Sequence, residues 1–237
     1  MSVLSNLEPR EVFAWFERLC AIPHGSHHAK TISDYLVAFA RERGLACRQD
    51  AANNVVIRKA ASAGYENAPV VMLQGHIDMV CEKDTDCGKD METEGLDLFV
   101  DGDVIGARGT TLGGDDGIAV AMALAVLDAD DIPHGPLECV FTADEEVGMI
   151  GARALDASDL KAKYLINIDS EEEGVLTVSC VGACRTLCTL PVTRVPFDGQ
   201  TLRVRISGLV GGHSGEEIHK GRANANLLLG RALDEMS

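Results

Sequence analysis

The sequence lacks an apolar run near the roughly 20 residues that a helix needs to cross a bilayer. Its first residues, MSVLSNLEPREVF, also lack the basic stretch and apolar segment of a secretory signal. Basic residues are scarce, because 21 Lys and Arg stand against 37 Asp and Glu and the formal charge is −16. Nucleic acid and anionic membranes repel such a surface. We therefore predict a cytoplasmic protein with neither nucleic acid nor a membrane as partner.

No C-x2-C pair, the spacing that structural zinc sites favour, occurs among the eight cysteines. The even spacing of Cys180, Cys184 and Cys188 would place all three on one face of an extended strand. Thiolate clusters usually show tighter pairing, so free thiols are the favoured interpretation. Internal repeats and low-complexity tracts are absent as well.

Apolar periodicity predicts an α/β domain. Strands alternating with helices imply a mixed, mostly parallel sheet covered by helices, with ligands at the carboxyl ends of its strands. Helical spacing predicts helices over 8–19, 28–43 and 117–127. Short β-type runs predict strands over 54–58, 69–73, 137–141, 164–168 and 175–179, and a hairpin turn at 101–103.

The character of the sequence changes near Cys184. From residue 185 the pattern predicts a strand, a proline-containing turn, a strand over 202–206, a glycine loop over 208–215 and a helix over 223–236. We therefore divide the chain into a first domain over 1–184 and the beginning of an α+β domain over 185–237. Two strands and a helix form a marginal unit by themselves, so this segment should lean on another domain or chain.

Acidic residues and one histidine occur where apolar segments end. Taken singly they have ordinary explanations, namely a surface turn, a helix N-cap and solvated loops. Together they favour a dinuclear metal site, which needs carboxylates and imidazoles gathered from separate strands onto one edge of a sheet. They are His76 and Asp78, Asp115 and Asp116, Asp144, Glu145 and Glu146, and Asp169.

The residue types also suggest roles. If the strand continues, His76 and Asp78 share one face, and a carboxylate can then hold the imidazole nitrogen that does not bind metal. A carboxylate at the start of a helix, such as Asp115, can bridge two metals. Of the adjacent Glu145 and Glu146, one can act as a general base and the other as a metal ligand.

These motifs resemble those of the bacterial aminoacyl-histidine dipeptidases, which are carnosinase-like enzymes among the cocatalytic zinc aminopeptidases and acylases. The resemblance covers nearly the whole chain. The segments that carry it are IPHGS at 22–26, GHIDMV at 75–80, ARGTTLGGDDG at 107–117, EEVGM at 145–149, LINIDSEEEG at 165–174 and GGHSG at 211–215.

The resemblance implies hydrolysis of Xaa-His and related dipeptides at a site with two zinc ions. By similarity, His76, Asp115 and Asp169 bind one zinc. Asp115, as the bridge, and Glu146 bind the second. The domain over 1–184 would then be the N-terminal portion of a zinc peptidase domain, and 185–237 the beginning of a lid or dimerisation domain.

The resemblance also implies catalytic roles. Asp78 orients His76, Glu145 is the general base, and His213 steadies the oxyanion, often across a homodimer.

Family members run to about twice this length, and a later histidine completes their second zinc site. We expect this chain, which ends at Ser237, to lack that ligand, and the sequence favours no substitute among His24, His27, His28, His134 and His219. Two alternatives stay open. One is a related zinc N-acyl-amino-acid amidohydrolase, and the other is an inactive truncated paralogue that serves in binding or assembly.

Overall fold

The structure, a computed structural model, describes residues 2–170, 172–179, 182, 186–212 and 217–236. The chain divides into two compact units, Met1–Cys180 and Val181–Ser237, near the predicted boundary after residue 184. The helices are α1 (Arg10–Cys20), α2 (Lys30–Glu42), α3 (Gly114–Asp128), α4 (Ile150–Ala154) and α5 (Ala225–Met236). The strands are β1 (Ala46–Gln49), β2 (Val55–Lys59), β3 (Val71–His76), β4 (Leu98–Asp101), β5 (Val104–Ala107), β6 (Leu137–Thr142) and β7 (Tyr164–Asn167).

The first unit is built on a five-stranded mixed sheet with the order β1-β2-β6-β3-β7. β3 lies parallel to both β6 and β7, whereas β2 is antiparallel to β1 and β6. This confirms the predicted mixed α/β sheet. Its parallel half contains the strands that precede most of the candidate site residues.

Helices α1, α2 and α3 cover one face of this sheet. Alternate residues of β2 and β6, including Val55, Ile57 and Phe141, point into a core that these helices share. α3 is apolar nearly all round, which suits a helix enclosed by other elements. The opposite face has a smaller cluster, in which Val56, Met72 and Val140 pack with Leu155, Leu160 and Ala162.

A buried acid in the middle of the sheet holds the chain segment that leads into β7. Glu138 of β6 is only 3% exposed and pairs with Arg58 of β2 at 3.0 Å. Its other oxygen accepts hydrogen bonds from the backbone amides of Lys161 and Ala162, at 2.8 and 3.0 Å. Since an unpaired buried carboxylate is costly, these partners hold the segment before β7 in place.

Three predicted strands are absent from the described residues, namely those over 175–179 and 202–206 and the one that begins at residue 185, of which residue 186 onward is described and irregular. Residues 175–179 and 202–206 are irregular, and Leu176 and Val178 are 92% and 95% exposed. A strand needs a neighbour for its backbone hydrogen bonds, and no described segment pairs with either stretch. The prediction also missed β1, α4 and the strands of the β4–β5 hairpin, although its turn at 101–103 is confirmed.

The second unit has little regular structure in its described part. Residues 186–212 are irregular, Ile218–Lys220 form a single 3-10 turn, and the predicted final helix is confirmed as α5. Residue 185 and the end of the predicted glycine loop, 213–215, lie outside the described residues. The lid or dimerisation role of this unit stays a prediction.

Among the described cysteines, all six are free thiols, as predicted. Burial raises the pKa of both Cys20 and Cys139 to about 12. Cys180 and Cys184 lie outside the described residues. None of the helices in the described ranges is long and apolar enough to cross a membrane.

Core packing around β6 provides a first prediction. Phe141 is 1% exposed, so Phe141→Ala should lower the free energy of unfolding by about 3–5 kcal/mol through lost burial and a residual cavity. Urea denaturation followed by the fluorescence of Trp15, the single tryptophan and a core residue of the first unit, measures this.

The matched control is Val104→Ala in the exposed β4–β5 hairpin, which should change the same free energy by less than about 0.5 kcal/mol. Equal losses in the two variants would contradict the packing described for β6.

Candidate metal centre

The parallel strands β6, β3 and β7 end at the same edge of the sheet. His76, the last residue of β3, pairs in register with Thr142, the last residue of β6. Gln74 of β3 bonds to both neighbours, accepting from Asn167 Nδ2 at 2.6 Å and donating to Thr142 Oγ1 at 3.3 Å. The segments that follow these strands therefore start side by side.

His76 lies at the centre of this edge and is 1% exposed. Its Nδ1 is 2.9 Å from the backbone oxygen of Asp78 and 3.5 Å from Asp78 Oδ1. A proton on Nδ1 donates to these acceptors and leaves Nε2 as the metal-binding nitrogen. Nε2 lies 2.9 Å from Oδ1 of Asp115, at the start of α3. Two ligands of one tetrahedral zinc are about 3.3 Å apart, so this spacing suits a shared ion.

The donor atoms form two overlapping groups, both containing His76. In one group His76, Asp115 and Glu146 offer ligand atoms within 4.8 Å of one another. In the other group, ligand atoms of His76, Asp116 and Asp169 also lie within 4.8 Å of one another. One imidazole and several carboxylates are a donor set that zinc accepts. The residues therefore fit a divalent cation.

The structure brings the four predicted ligands to one edge of the sheet, in a different grouping from the one predicted. His76, Asp115, Glu146 and Asp169 all converge, but Asp169 is grouped with Asp116 instead of Asp115. Asp116 is one of the acids that the sequence pattern brings to this edge, but the family resemblance assigned it no ligand role. Its Oδ2 accepts the backbone amide of His76 at 3.1 Å, and its 1% exposure is the signal that distinguishes it from an ordinary helix cap.

The charge on His76 depends on its acidic neighbours. Burial by itself lowers the pKa of this imidazole, but hydrogen bonds to Asp115 and Asp78 and the nearby charge of Asp116 outweigh burial and raise the pKa to about 11. Without metal the ring is therefore an imidazolium at neutral pH. Metal binding must displace the Nε2 proton.

The pKa values of the surrounding carboxyl groups are raised, as expected for acids that are crowded together and partly buried. Burial raises the pKa of Asp116 to about 7. Burial also raises the pKa of Glu145, Glu146 and Asp169, and the mutual repulsion of the carboxylates adds to the effect. A bound cation would relieve both costs, because it compensates negative charge that solvent reaches poorly.

Asp78 lies beside His76 although β3 ends at His76 and does not continue to Asp78 as the sequence analysis supposed, and its carboxylate also makes other bonds. Oδ1 accepts the backbone amide of Glu145 at 2.9 Å, and Oδ2 accepts the hydroxyl of Ser26 at 2.8 Å. Burial alone would raise the pKa of Asp78, yet these bonds and His76 lower it. Asp78 is therefore an ionised carboxylate that joins three segments.

The other histidines have separate surroundings. His24 is buried with Nδ1 2.6 Å from the backbone oxygen of Ile22, and the amide of His27 donates to Asp144 at 2.6 Å. His76 is the only histidine in the donor groups found among the described residues, so none of the five candidate substitutes joins them. His213 lies outside the described residues, and its predicted role stays a prediction.

A cavity of about 730 Å³ lies beside the metal centre. Glu146 lines it, so it shares one residue with the donor groups. Its wall contains apolar side chains from Met79, Met91 and Val147, and the Ser26–His28 segment borders it. A space of this size accommodates a small molecule such as a dipeptide.

The fold and the donor set are those of a metal-dependent hydrolase, and comparison with known proteins specifies the family. Residues 72–225 match the model of peptidase family M20/M25/M40. This range includes His76 and every acidic residue of both donor groups. The chain belongs to that family.

Individual relatives agree. The chain is 45% identical over 235 residues to the cytosol non-specific dipeptidase of Escherichia coli, covering 98% of this chain and 48% of the relative. The crystal structure of aminoacylhistidine dipeptidase from Vibrio alginolyticus superimposes with a TM-score of 0.72 at 38% identity, and the match covers 97% of this chain and 47% of that one. The crystal structure of a tripeptidase from Staphylococcus aureus superimposes with a TM-score of 0.58 at 26% identity, and the match covers 70% of this chain and 44% of that one. The chain thus spans about half the length of these relatives.

The shared position of His76 provides a second prediction. Because His76 belongs to both donor groups, His76→Ala should abolish tight metal binding, whereas His134→Ala, outside the donor groups, should leave it unchanged. Bound metal per chain, measured by elemental analysis after dialysis of zinc-loaded protein, checks this. Unchanged stoichiometry in His76→Ala would exclude the residue as a ligand.

Proposed function

We propose that this chain carries the metal-binding part of a dipeptidase active site that hydrolyses Xaa-His and related dipeptides of the β-Ala-His type. The observation that carries the proposal is the convergence of two donor groups on the single imidazole of His76. The two dipeptidase relatives support it, because they match nearly all of this chain.

The proposed metal is zinc, held by the predicted ligands His76, Asp115, Glu146 and Asp169. When bound, a divalent ion of this kind polarises the scissile carbonyl and lowers the pKa of a water. Asp116 joins the proposal as a further acid of the centre. Its contact with the amide of His76 ties the start of α3 to the end of β3.

Glu145 is the proposed general base. It follows β6 at the metal-bearing edge, and its backbone amide is held by Asp78. Its raised pKa, caused first by burial, favours a carboxylate that accepts a proton from water and then gives it to the leaving amine. Asp78, which fixes the imidazole through Nδ1, is the proposed orienting residue.

The remaining parts of the proposal rest on the family resemblance. His213 would steady the oxyanion from the second unit. A homodimer is the proposed assembly, supported by apolar side chains that this unit leaves open, such as Leu187 and Phe197 at 89% and 77% exposure. A cytosolic location is proposed from the Escherichia coli relative, which is named for that compartment.

Substrate comparison tests the proposal as a whole. The zinc-loaded chain should hydrolyse β-Ala-His and other Xaa-His dipeptides faster than N-acetyl amino acids, measured by release of free amino acid. Preference for the N-acetyl compounds would identify an amidohydrolase instead. Absence of turnover for both, with metal bound, would favour a binding or assembly protein.

Removal of the base gives a sharper test. Glu145→Gln should keep its metal and lower kcat for dipeptide hydrolysis by about 100-fold or more, since one acid–base group contributes that much. Glu11→Gln, on the exposed surface of α1, is the matched control and should retain the full rate. An unchanged rate in Glu145→Gln would assign the base to another residue.

A further inference from the structure

The segment His24–His27, between α1 and α2, is tied to the metal-bearing edge by backbone contacts. The amide of Met79 donates to the oxygen of His24 at 3.1 Å, and the amide of Ser26 donates to the oxygen of Met79 at 3.2 Å. Gly25 permits this approach, because a Cβ there would lie 2.7 Å from Sγ of Cys81. The segment therefore runs directly against the residues that follow β3.

The same segment also contacts the residues that follow β6. The backbone amide of His27 donates to Oδ1 of Asp144 at 2.6 Å. The segment thus bonds to both loops that carry the proposed orienting residue and the proposed base. The partners in these backbone contacts, Met79 and Asp144, are neither proposed metal ligands nor proposed catalytic residues.

Ser26 makes the one side-chain contact of this segment with the buried Asp78 carboxylate. Asp78 Oδ2 accepts the Ser26 hydroxyl at 2.8 Å and the amide of Glu146 only at 3.4 Å. Asp78 Oδ1 accepts the amide of Glu145 at 2.9 Å and lies 3.5 Å from His76 Nδ1. Without the hydroxyl, Oδ2 would keep a single long hydrogen bond.

We propose that Ser26 is a positioning residue for the hydrolytic reaction: its hydroxyl fixes the Asp78 carboxylate, which in turn holds the backbone of Glu145 beside His76. The reaction itself rests on the proposed function, but the positioning contact does not. When an aspartate carboxylate rotates about its Cβ–Cγ bond, the contacts of both of its oxygens change together. Loss of the Ser26 bond therefore loosens the base, although the Ser26 hydroxyl donates to Asp78 and not to the base or a ligand.

Amide hydrogen exchange in the metal-free chain tests the contact directly. In Ser26→Ala, the Glu145 amide should exchange about 3-fold or more faster, because its acceptor is less restrained. Ser26→Thr keeps the hydroxyl and should restore the slower exchange. The Glu145 amide can be followed by NMR or by mass spectrometry of peptides covering 144–147.

Kinetics of the zinc-loaded chain test the consequence. Ser26→Ala should lower kcat for β-Ala-His by about 10-fold, as expected for a group that orients a catalytic residue. KM and bound zinc should stay unchanged, and Ser26→Thr should recover most of the rate. A rise in KM or a loss of zinc would overturn the inference, because it would place the effect in the cavity or at the ligands.

Ser62→Ala is the matched control. Ser62 also joins two loops through its hydroxyl, donating to the oxygen of Ile132 at 3.3 Å and accepting the amide of His134 at 3.0 Å, but near the opposite edge of the sheet. It should alter neither Glu145 exchange nor kcat. Equal changes in Ser62→Ala would mean general destabilisation and would overturn the inference.

The exchange experiment uses neither substrate nor metal, so the two proposals fail separately. If no dipeptide is hydrolysed but Ser26→Ala still accelerates exchange at Glu145, the dipeptidase proposal fails and the positioning contact stands. If hydrolysis proceeds and Ser26→Ala leaves both exchange and kcat unchanged, the positioning role is excluded while the dipeptidase proposal stands.

Discussion

Parallel pairing of β3 with β6 and β7 is the constraint on which the rest of this structure depends. In parallel strands the carboxyl ends share an edge, so the segments after them emerge side by side. His76 ends β3, Glu145 and Glu146 follow β6, and Asp169 follows β7. An antiparallel β3 would send one of these groups to the far edge and leave no common centre.

The centre is electrostatically costly without a cation. Burial and mutual repulsion raise the pKa of Asp116, Glu145, Glu146 and Asp169, while the imidazolium of His76 offsets only part of the negative charge. Perturbed carboxyls of this kind concentrate at functional sites, where a ligand or metal compensates them. Elsewhere in the sheet, Glu138 shows the contrasting structural solution, in which one buried acid is fully paired with Arg58 and two amides.

Much of the first unit was predictable because local signals agreed with the fold. Each apolar run of β2, β3, β6 and β7 has neighbours to pair with, and those strands formed within a few residues of their predicted bounds. The stretches 175–179 and 202–206 were also predicted as strands and formed none, since no described segment pairs with them. Strand propensity reflects how well a side chain packs on a sheet, so a prediction from it fails where no neighbouring strand is available to pair with.

The sequence by itself determined which side chains reach the edge, because periodicity located the strand ends and the residue types there are metal donors. Tertiary structure decided how they combine. Asp116 joins Asp169, and Ser26 reaches Asp78 from a segment 52 positions earlier. Such contacts depend on register, on helix placement and on the path of a loop between helices. None of these leaves a signal in local spacing, because the partners meet only after the sheet and its covering helices have packed.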